Sequence, residues 1–271
     1  MTRPSLFPRV RLHRPGWDML SVLCVVLVAG HLAVVGFGGV ASLYDRGLYD
    51  ALGLSRPGIL GGRVWQVVTH PFLHGTWVHL ILNCSVIYLT GGRVLHILGG
   101  RSFLRIFFGG VLVGTVLHLL LHPSLPIGIE GERPNGPLIG ASAGAMALLL
   151  ALTSLSPDSR MWPLPLSGKN LGRGLLLATL ILFAITPGLG VPVLSSIGTW
   201  LVQKAGLSSL FGIGHIYHFG GGLVGWLYAR RLLRSPVSLG DLQRSRARRE
   251  GVTAGKGDEQ SAGPPGDFTV S

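Results

Sequence analysis

Charge is scarce in this chain of 271 residues: Asp, Glu, Lys and Arg make up 13% of it, against roughly 25% in a soluble domain. With 48% hydrophobic residues and a positive mean hydropathy, there is too little charge to cover a water-soluble globule of this length. Acids are rarer still, 11 against 23 Lys and Arg. None of the acids falls inside a long apolar run, so the apolar part of the molecule offers no carboxylate to complete a catalytic triad. Cysteine is nearly absent. Cys24 and Cys84 both lie in apolar runs, which excludes a disulfide framework and reads as two small buried residues. The net charge of +12 does not point to nucleic acid, because the bases sit at the ends and between apolar runs, not along one face. That distribution marks the cytoplasmic segments of a membrane protein.

What the chain has is apolar length. A bilayer crossing takes about 20 apolar residues of helix, and six segments meet or approach this: Met19–Val40, Thr76–Val94, Phe103–Leu121, Leu138–Leu155, Gly174–Gly190 and Phe211–Ala229. The expected fold is an all-α membrane protein, a bundle of six transmembrane helices. The first segment has no small-residue cleavage site after it and is expected to stay as a span rather than leave as a signal peptide. Arg3, Arg9, Arg11 and Arg14 precede the first segment. Arg93, Arg101 and Arg105 lie about the second connection, Arg160, Lys169 and Arg173 about the fourth, and Arg230, Arg231 and Arg234 follow the sixth. With six spans all these clusters fall on one side, which predicts that both termini are cytoplasmic. The domain plan is a basic N-terminal tail over 1–18, the six-span body over 19–234 and a disordered cytoplasmic tail over 235–271, too polar and too rich in Gly and Pro to fold. The long first connection, 41–75, is expected to pack on the bundle. Glycines are abundant, and Gly220, Gly221, Gly222 and Gly225 make one close-packing surface in the sixth segment.

Polar groups stand out on the second, fourth and sixth segments. His79 and Asn83 are four apart and share a helix face. Ser142 lies in Gly140-Ala141-Ser142-Ala143-Gly144, and His218 opens a glycine-rich run. All three segments begin at the outer face. His79 is about three residues into its segment, Ser142 about four and His218 about seven, which puts them roughly 5–10 Å below the boundary. Lacking a carboxylate, the chemistry has to run on a Ser-His dyad, with His218 taking the Ser142 proton and returning it to the leaving amine. The oxyanion of the intermediate needs donors, which the side chains of His79 and Asn83 and the Ser142 N–H can supply. G-x-S-x-G also marks the strand-to-helix elbow of soluble hydrolases, but here it lies among apolar spans with no strand pattern. His215 shares nearly the same face as His218, yet only His218 has glycines three and seven residues on. His31 and His118 read as satisfied packing groups. His70 and His74 are four apart, a spacing open to a metal, though packing or loop hydrogen bonds are the expected role. No cofactor or metal is expected.

These residues together resemble the rhomboid intramembrane proteases. The resemblance covers Trp65 to Arg231. It rests on Thr69-His70-Pro71-Phe72-Leu73-His74, His79-x-x-x-Asn83, Gly91-Gly92, the Gly140-Ala141-Ser142 segment, and His218-x-x-Gly221-x-x-x-Gly225. It implies an intramembrane serine endopeptidase with Ser142 as nucleophile and His218 as base. His79, Asn83 and the Ser142 amide would form the oxyanion site, with Gly140 beside it and Gly221 allowing close contact of the fourth and sixth spans. The implied partners are single-span or multi-span membrane protein substrates and the lipid bilayer, with no nucleic acid. The compact six-span layout favours a bacterial inner membrane, with the site toward the outer face. The chain departs from the family pattern at Gln66, Ala143, Met146 and Tyr217. Two other readings stay open: a non-catalytic rhomboid-like binder of membrane client proteins, which would usually lack the serine or the histidine, and a transporter with histidines on its pathway.

Overall fold

The computed structural model describes residues 16–36, 47–122, 136–161 and 165–233, and those residues are helical apart from turns and two isolated bridges, Leu54–Leu138 and Arg160–Ser167. The described residues up to Arg231 belong to one compact unit. The two tails fall outside the described residues, with the exception of Gly16, Trp17 and Asp18.

Helix α1 spans Met19–Gly36. Asp18 starts it, its carboxylate accepting from Ser21 N–H at 2.8 Å, which satisfies one of the orphan donors of the first turn. Among its described residues the first connection carries three short helices, α2 (Leu48–Leu52), α3 (Arg56–Leu60) and α4 (Gln66–Thr69), the last running into a 3-10 turn at His70–Phe72. It packs on the bundle as expected. The Leu54–Leu138 bridge ties it to the segment before Ser142. The Arg56 guanidinium donates to the carbonyls of Leu119 and Leu120, where a helix C-terminus has unpaired acceptors and favours positive charge.

Helix α5, Trp77–Leu121, is a continuous helical run except at Gly99, where φ is 77° and ψ 168°. The connection expected around residues 95–102 is therefore a single residue. Glycine adopts that positive φ at little cost, whereas a side chain would be strained there. The chain folds back at this point: a Cβ on Gly91 would come within 2.8 Å of the Phe103 ring, and in an unbroken helix residues 12 apart would be separated by about 18 Å. The two halves of α5, 77–98 and 100–121, are each about the length of a bilayer crossing.

Helix α6 spans Ser142–Leu155, α7 Gly168–Ala184, α8 Leu194–Ala205, α9 Ser208–Phe211 and α10 His215–Leu233. Three helices differ in their bounds from expectation, the sixth beginning at His215 rather than Phe211 and ending at Leu233 rather than Ala229. The fourth helix starts at Ser142, not Leu138, because residues 138–140 are held extended by the bridge to Leu54 and by a Gly140 φ of 109°. The fifth runs from Gly168 to Ala184 because Ser167 caps it, accepting from Asn170 N–H, and because Pro187 and the positive-φ glycines 188 and 190 follow. The amphipathic helix α8 in the following connection was not expected from the apolar runs.

The core lies between α1, α5 and α6, where Leu20, Leu27, Ile87, Phe103, Ile106, Phe107 and Leu148 are fully buried. In a bilayer such contacts are held by close packing rather than by exclusion of water. Outward faces are aliphatic: Val25, Leu82, Leu112 and Leu177 are each more than half exposed. That is far more contiguous apolar surface than a soluble monomer tolerates, and it suits lipid. Cys24 and Cys84 are free and half-buried rather than buried.

Candidate active site

Three helix N-termini bring the polar groups together. Thr76 caps α5, its hydroxyl accepting from His79 N–H at 3.1 Å, which makes His79 the third residue of that helix. Ser142 is the first residue of α6 and His218 the fourth of α10. Ser142 and His218 are thus nearer their helix starts than the expected four and seven residues. The reason is the extended entry to α6 and the start of α10 at His215.

His218 Nε2 lies 2.6 Å from Ser142 Oγ. With Nε2 unprotonated, the serine hydroxyl donates to it. His215, three residues earlier, is turned to the backbone: its Nε2–H donates to Leu210 O at 2.7 Å. Close approach of α6 and α10 makes the Ser142–His218 contact possible. A Cβ on Gly221 would lie 2.1 Å from Ala143 O, and one on Gly225 1.9 Å from Ala147 O. Any side chain at either position would push the two helices apart. As a first-turn donor, Ser142 N–H has no carbonyl partner within its own helix.

The other side of the site is built around Gly140. A Cβ there would meet the His79 ring at 2.7 Å and the Asn83 amide nitrogen at 3.6 Å, so both side chains lie against the Gly140 backbone, two residues before the serine. Asn83 is buried, and its side-chain NH₂ has no acceptor among the described residues. A buried donor without a partner costs about 1–3 kcal/mol and is placed to serve an oxygen arriving at the site. Ser142, His218, His79, Asn83 and Gly140 therefore form one constellation, with no carboxylate near it among the described residues.

The first connection holds this constellation from outside. Gln66, fully buried, accepts from Ser55 N–H at 3.1 Å and donates to Asp50 O at 2.7 Å. Gly140 N–H donates to His70 O at 2.9 Å. The His70 ring bonds to Gln66 O at 2.7 Å through Nδ1, with Thr115 Oγ1 and Tyr217 Oη each 3.3 Å from Nε2. Loop hydrogen bonding is thus what His70 does, and burial pulls its pKa down to about 4, leaving the ring neutral at pH 7. His74 is likewise pulled down to about 4 by burial, with His79 and His31 adding to the effect. Its ring stands edge-on to His79 at 5.0 Å, and neither nitrogen has a hydrogen-bond partner. His31 is buried against the edge of Trp77 at 4.5 Å with both ring nitrogens unpartnered, and His118 Nδ1 is unpartnered too. The expected satisfaction is not what the structure has for His31, whereas His118 packs against the His122 ring at 4.4 Å. No cluster of three or more metal-ligating side chains occurs among the described residues.

Sequence reasoning marked Tyr217 only as a departure from the family pattern and passed over Thr115. Tyr217 is fully buried and donates to Gly140 O at 3.0 Å. The available signal was its position: a tyrosine directly before His218, at the start of a glycine-rich helix.

Comparison with known proteins gives a match to the family model described as the Rhomboid domain over residues 61–235. The chain is 34% identical over 80 residues to Rhomboid-like protein 16, chloroplastic, of Arabidopsis thaliana, covering 30% of this chain and 25% of that protein. It is 36% identical over 93 residues to Rhomboid-like protease 3 of Toxoplasma gondii, covering 34% and 35%. It is 28% identical over 123 residues to Rhomboid protease GlpG of Salmonella newport, covering 45% and 38%. The chain thus spans between a quarter and two fifths of the length of these curated relatives.

Proposed function

The chain belongs to the rhomboid family and is an integral membrane protein, and from that premise we propose that it is an intramembrane serine endopeptidase working through Ser142 and His218. The observation that carries the reading is the 2.6 Å contact of Ser142 Oγ with His218 Nε2, in a site whose neighbours are hydrogen-bond donors and not carboxylates. His218 Nε2 accepts the hydroxyl proton as Ser142 Oγ attacks the scissile carbonyl, and the imidazolium returns that proton to the leaving amine. Water then attacks the acyl-enzyme, its proton going to His218 and from there to Ser142 Oγ as the ester breaks. The negative oxygen of each tetrahedral intermediate is met by Ser142 N–H, by the Asn83 NH₂ and by His79. The buried, partnerless Asn83 NH₂ supports this assignment.

We further propose six crossings, formed by α1, the two halves of α5, α6, α7 and α10, within a body extending over 19–234 between a cytoplasmic basic N-tail, 1–18, and a cytoplasmic C-tail, 235–271. Basic residues flank the inner ends of these helices, so the site lies toward the outer face. Relatives from a plant and an apicomplexan parasite leave the bacterial inner membrane as one membrane among several. Substrates are membrane proteins whose transmembrane helix opens readily near the outer boundary, at Gly, Ser or Pro. The α7 side supports entry there, since that helix buries only Gly168, Gly172 and Thr179.

The test is labelling of purified protein by a fluorophosphonate probe, which needs no natural substrate. Wild type and His215→Ala are expected to label within a few fold of each other. Ser142→Ala is expected not to label, and His218→Ala to label about a hundredfold or more slowly, as for loss of a general base. Folded wild type that neither labels nor cleaves a model transmembrane substrate would move the assignment to the non-catalytic, client-binding reading.

A further inference from the structure

Tyr217 is buried beside the dyad, and the chemistry above makes no use of it. The proton count in its surroundings fixes what its hydroxyl does. His70 is neutral, and its Nδ1–H donates to Gln66 O at 2.7 Å, so its Nε2 is an acceptor. Thr115 Oγ1 and Tyr217 Oη both lie 3.3 Å from that nitrogen. The phenol has one proton and a closer acceptor, Gly140 O at 3.0 Å. The Tyr217 proton therefore goes to Gly140, and the Thr115 hydroxyl supplies His70.

We propose that Tyr217 is a positioning residue for Ser142: its hydroxyl clamps the Gly140–Ala141 peptide and thereby fixes the start of α6, where the nucleophile and the Ser142 N–H are presented. The proposal rests on the proteolytic reading above and deepens it. Gly140, at φ 109°, is the most conformationally permissive residue in the segment. Three contacts hold it: Gly140 N–H on His70 O, its Cα face against the His79 ring and the Asn83 amide, and its carbonyl on Tyr217. Only the last comes from α10, the helix that carries His218. One residue pair thus ties the nucleophile's backbone to the helix of the base. Among the described residues no carboxylate orients the histidine, and preorganisation there comes from such backbone clamps. The ring itself does not stack on His218, the two lying 6.1 Å apart and tilted by 40°, so the hydroxyl is the functional part. Loss of the hydroxyl leaves a buried carbonyl unpaired and the peptide plane free to turn.

The experiment compares Tyr217→Phe with Thr115→Val in proteoliposomes carrying a model transmembrane substrate. Thr115→Val removes a buried hydrogen bond of the same network without touching Gly140. Tyr217→Phe is expected to lower kcat and the rate of fluorophosphonate labelling about tenfold, the size of one hydrogen bond, with KM within twofold. Thr115→Val is expected to lower the thermal midpoint by a few degrees, as for loss of one buried hydrogen bond, while keeping kcat within about twofold of wild type. Equal kcat in Tyr217→Phe and wild type, or equal losses in both variants, would overturn the proposal. Hydrogen exchange over residues 138–145 reads the clamp without activity and is expected to be several-fold faster in Tyr217→Phe than in Thr115→Val. Equal exchange overturns the clamp even in an active enzyme, whereas faster exchange in a chain that cleaves nothing upholds the clamp and removes the proteolytic reading instead.

Discussion

The two sides of the bundle are built on different rules. On one, the second half of α5, α6 and α10 meet backbone to backbone: Gly110 faces Ala147, Gly144 faces the Phe107 ring, and Gly221 and Gly225 face the carbonyls of Ala143 and Ala147. On the other, α7 turns Leu177 and Ile181 outward, more than half exposed, and α8 buries only Gly198, which sits on the Ile185 carbonyl at the end of α7. The Ser142–His218 pair belongs to the first side. A 2.6 Å contact between side chains on separate helices requires that those helices hold their spacing to a fraction of an ångström, and contact of backbones without intervening side chains provides that. The second side carries none of the residues of that constellation and can yield without disturbing the dyad.

Equal overlaps on the two sides are therefore expected to have unequal consequences. Gly225→Ala puts a Cβ 1.9 Å from Ala147 O. The neighbour is backbone in the middle of the helix pair, so α6 and α10 separate. The expected outcome is a loss of about 3 kcal/mol or more in stability and loss of probe labelling, read by thermal unfolding in detergent and by fluorophosphonate. Gly198→Ala puts a Cβ 1.8 Å from Ile185 O, yet the expected loss is local: α8 lifts from the end of α7. Hydrogen exchange over residues 194–205 should accelerate while the global midpoint moves by no more than a few degrees. A global collapse in this variant would show that α8 is as integral as α10, and the contrast between the sides would fail. The smallest effect belongs to Gly174→Ala in α7, where a Cβ meets nothing within 4 Å. Here the substitution is expected to be neutral or stabilising by up to about 1 kcal/mol, the helix-propensity difference. Destabilisation would mean that α7 has a close partner on that face.

The site was legible in the sequence because its chemistry is sparse. In a chain of aliphatic and small residues, an Asn four residues after a His, a serine between glycines, and a histidine with glycines at three and seven positions on are conspicuous. The structure brings all of them together. What the sequence misjudged were boundaries and neighbours. Ser142 lies at the very start of its helix because a bridge from Leu54, over 80 residues earlier, keeps residues 138–140 extended, and no local pattern announces that. Gly99 replaces a whole connection because positive φ lets one residue reverse the chain. Helix α8 escaped notice because its apolar residues form one stripe and not a continuous run. His31 was taken for a satisfied ring, yet its partners were a matter of which helices packed around it, and the edge of Trp77 is what it received.

The sequence by itself determined that this is a helical membrane protein and which helices carry polar groups, and it placed every Asp and Glu outside the long apolar runs, since these follow from composition and from helical spacing along one segment. Only the tertiary structure decided how His218, which the glycine spacing already favoured over His215, reaches the serine, that Gln66 and His70 knit the first connection to the site, and that Tyr217 closes on Gly140. Each of those depends on distances between segments far apart in the chain, fixed by which backbones could approach most closely.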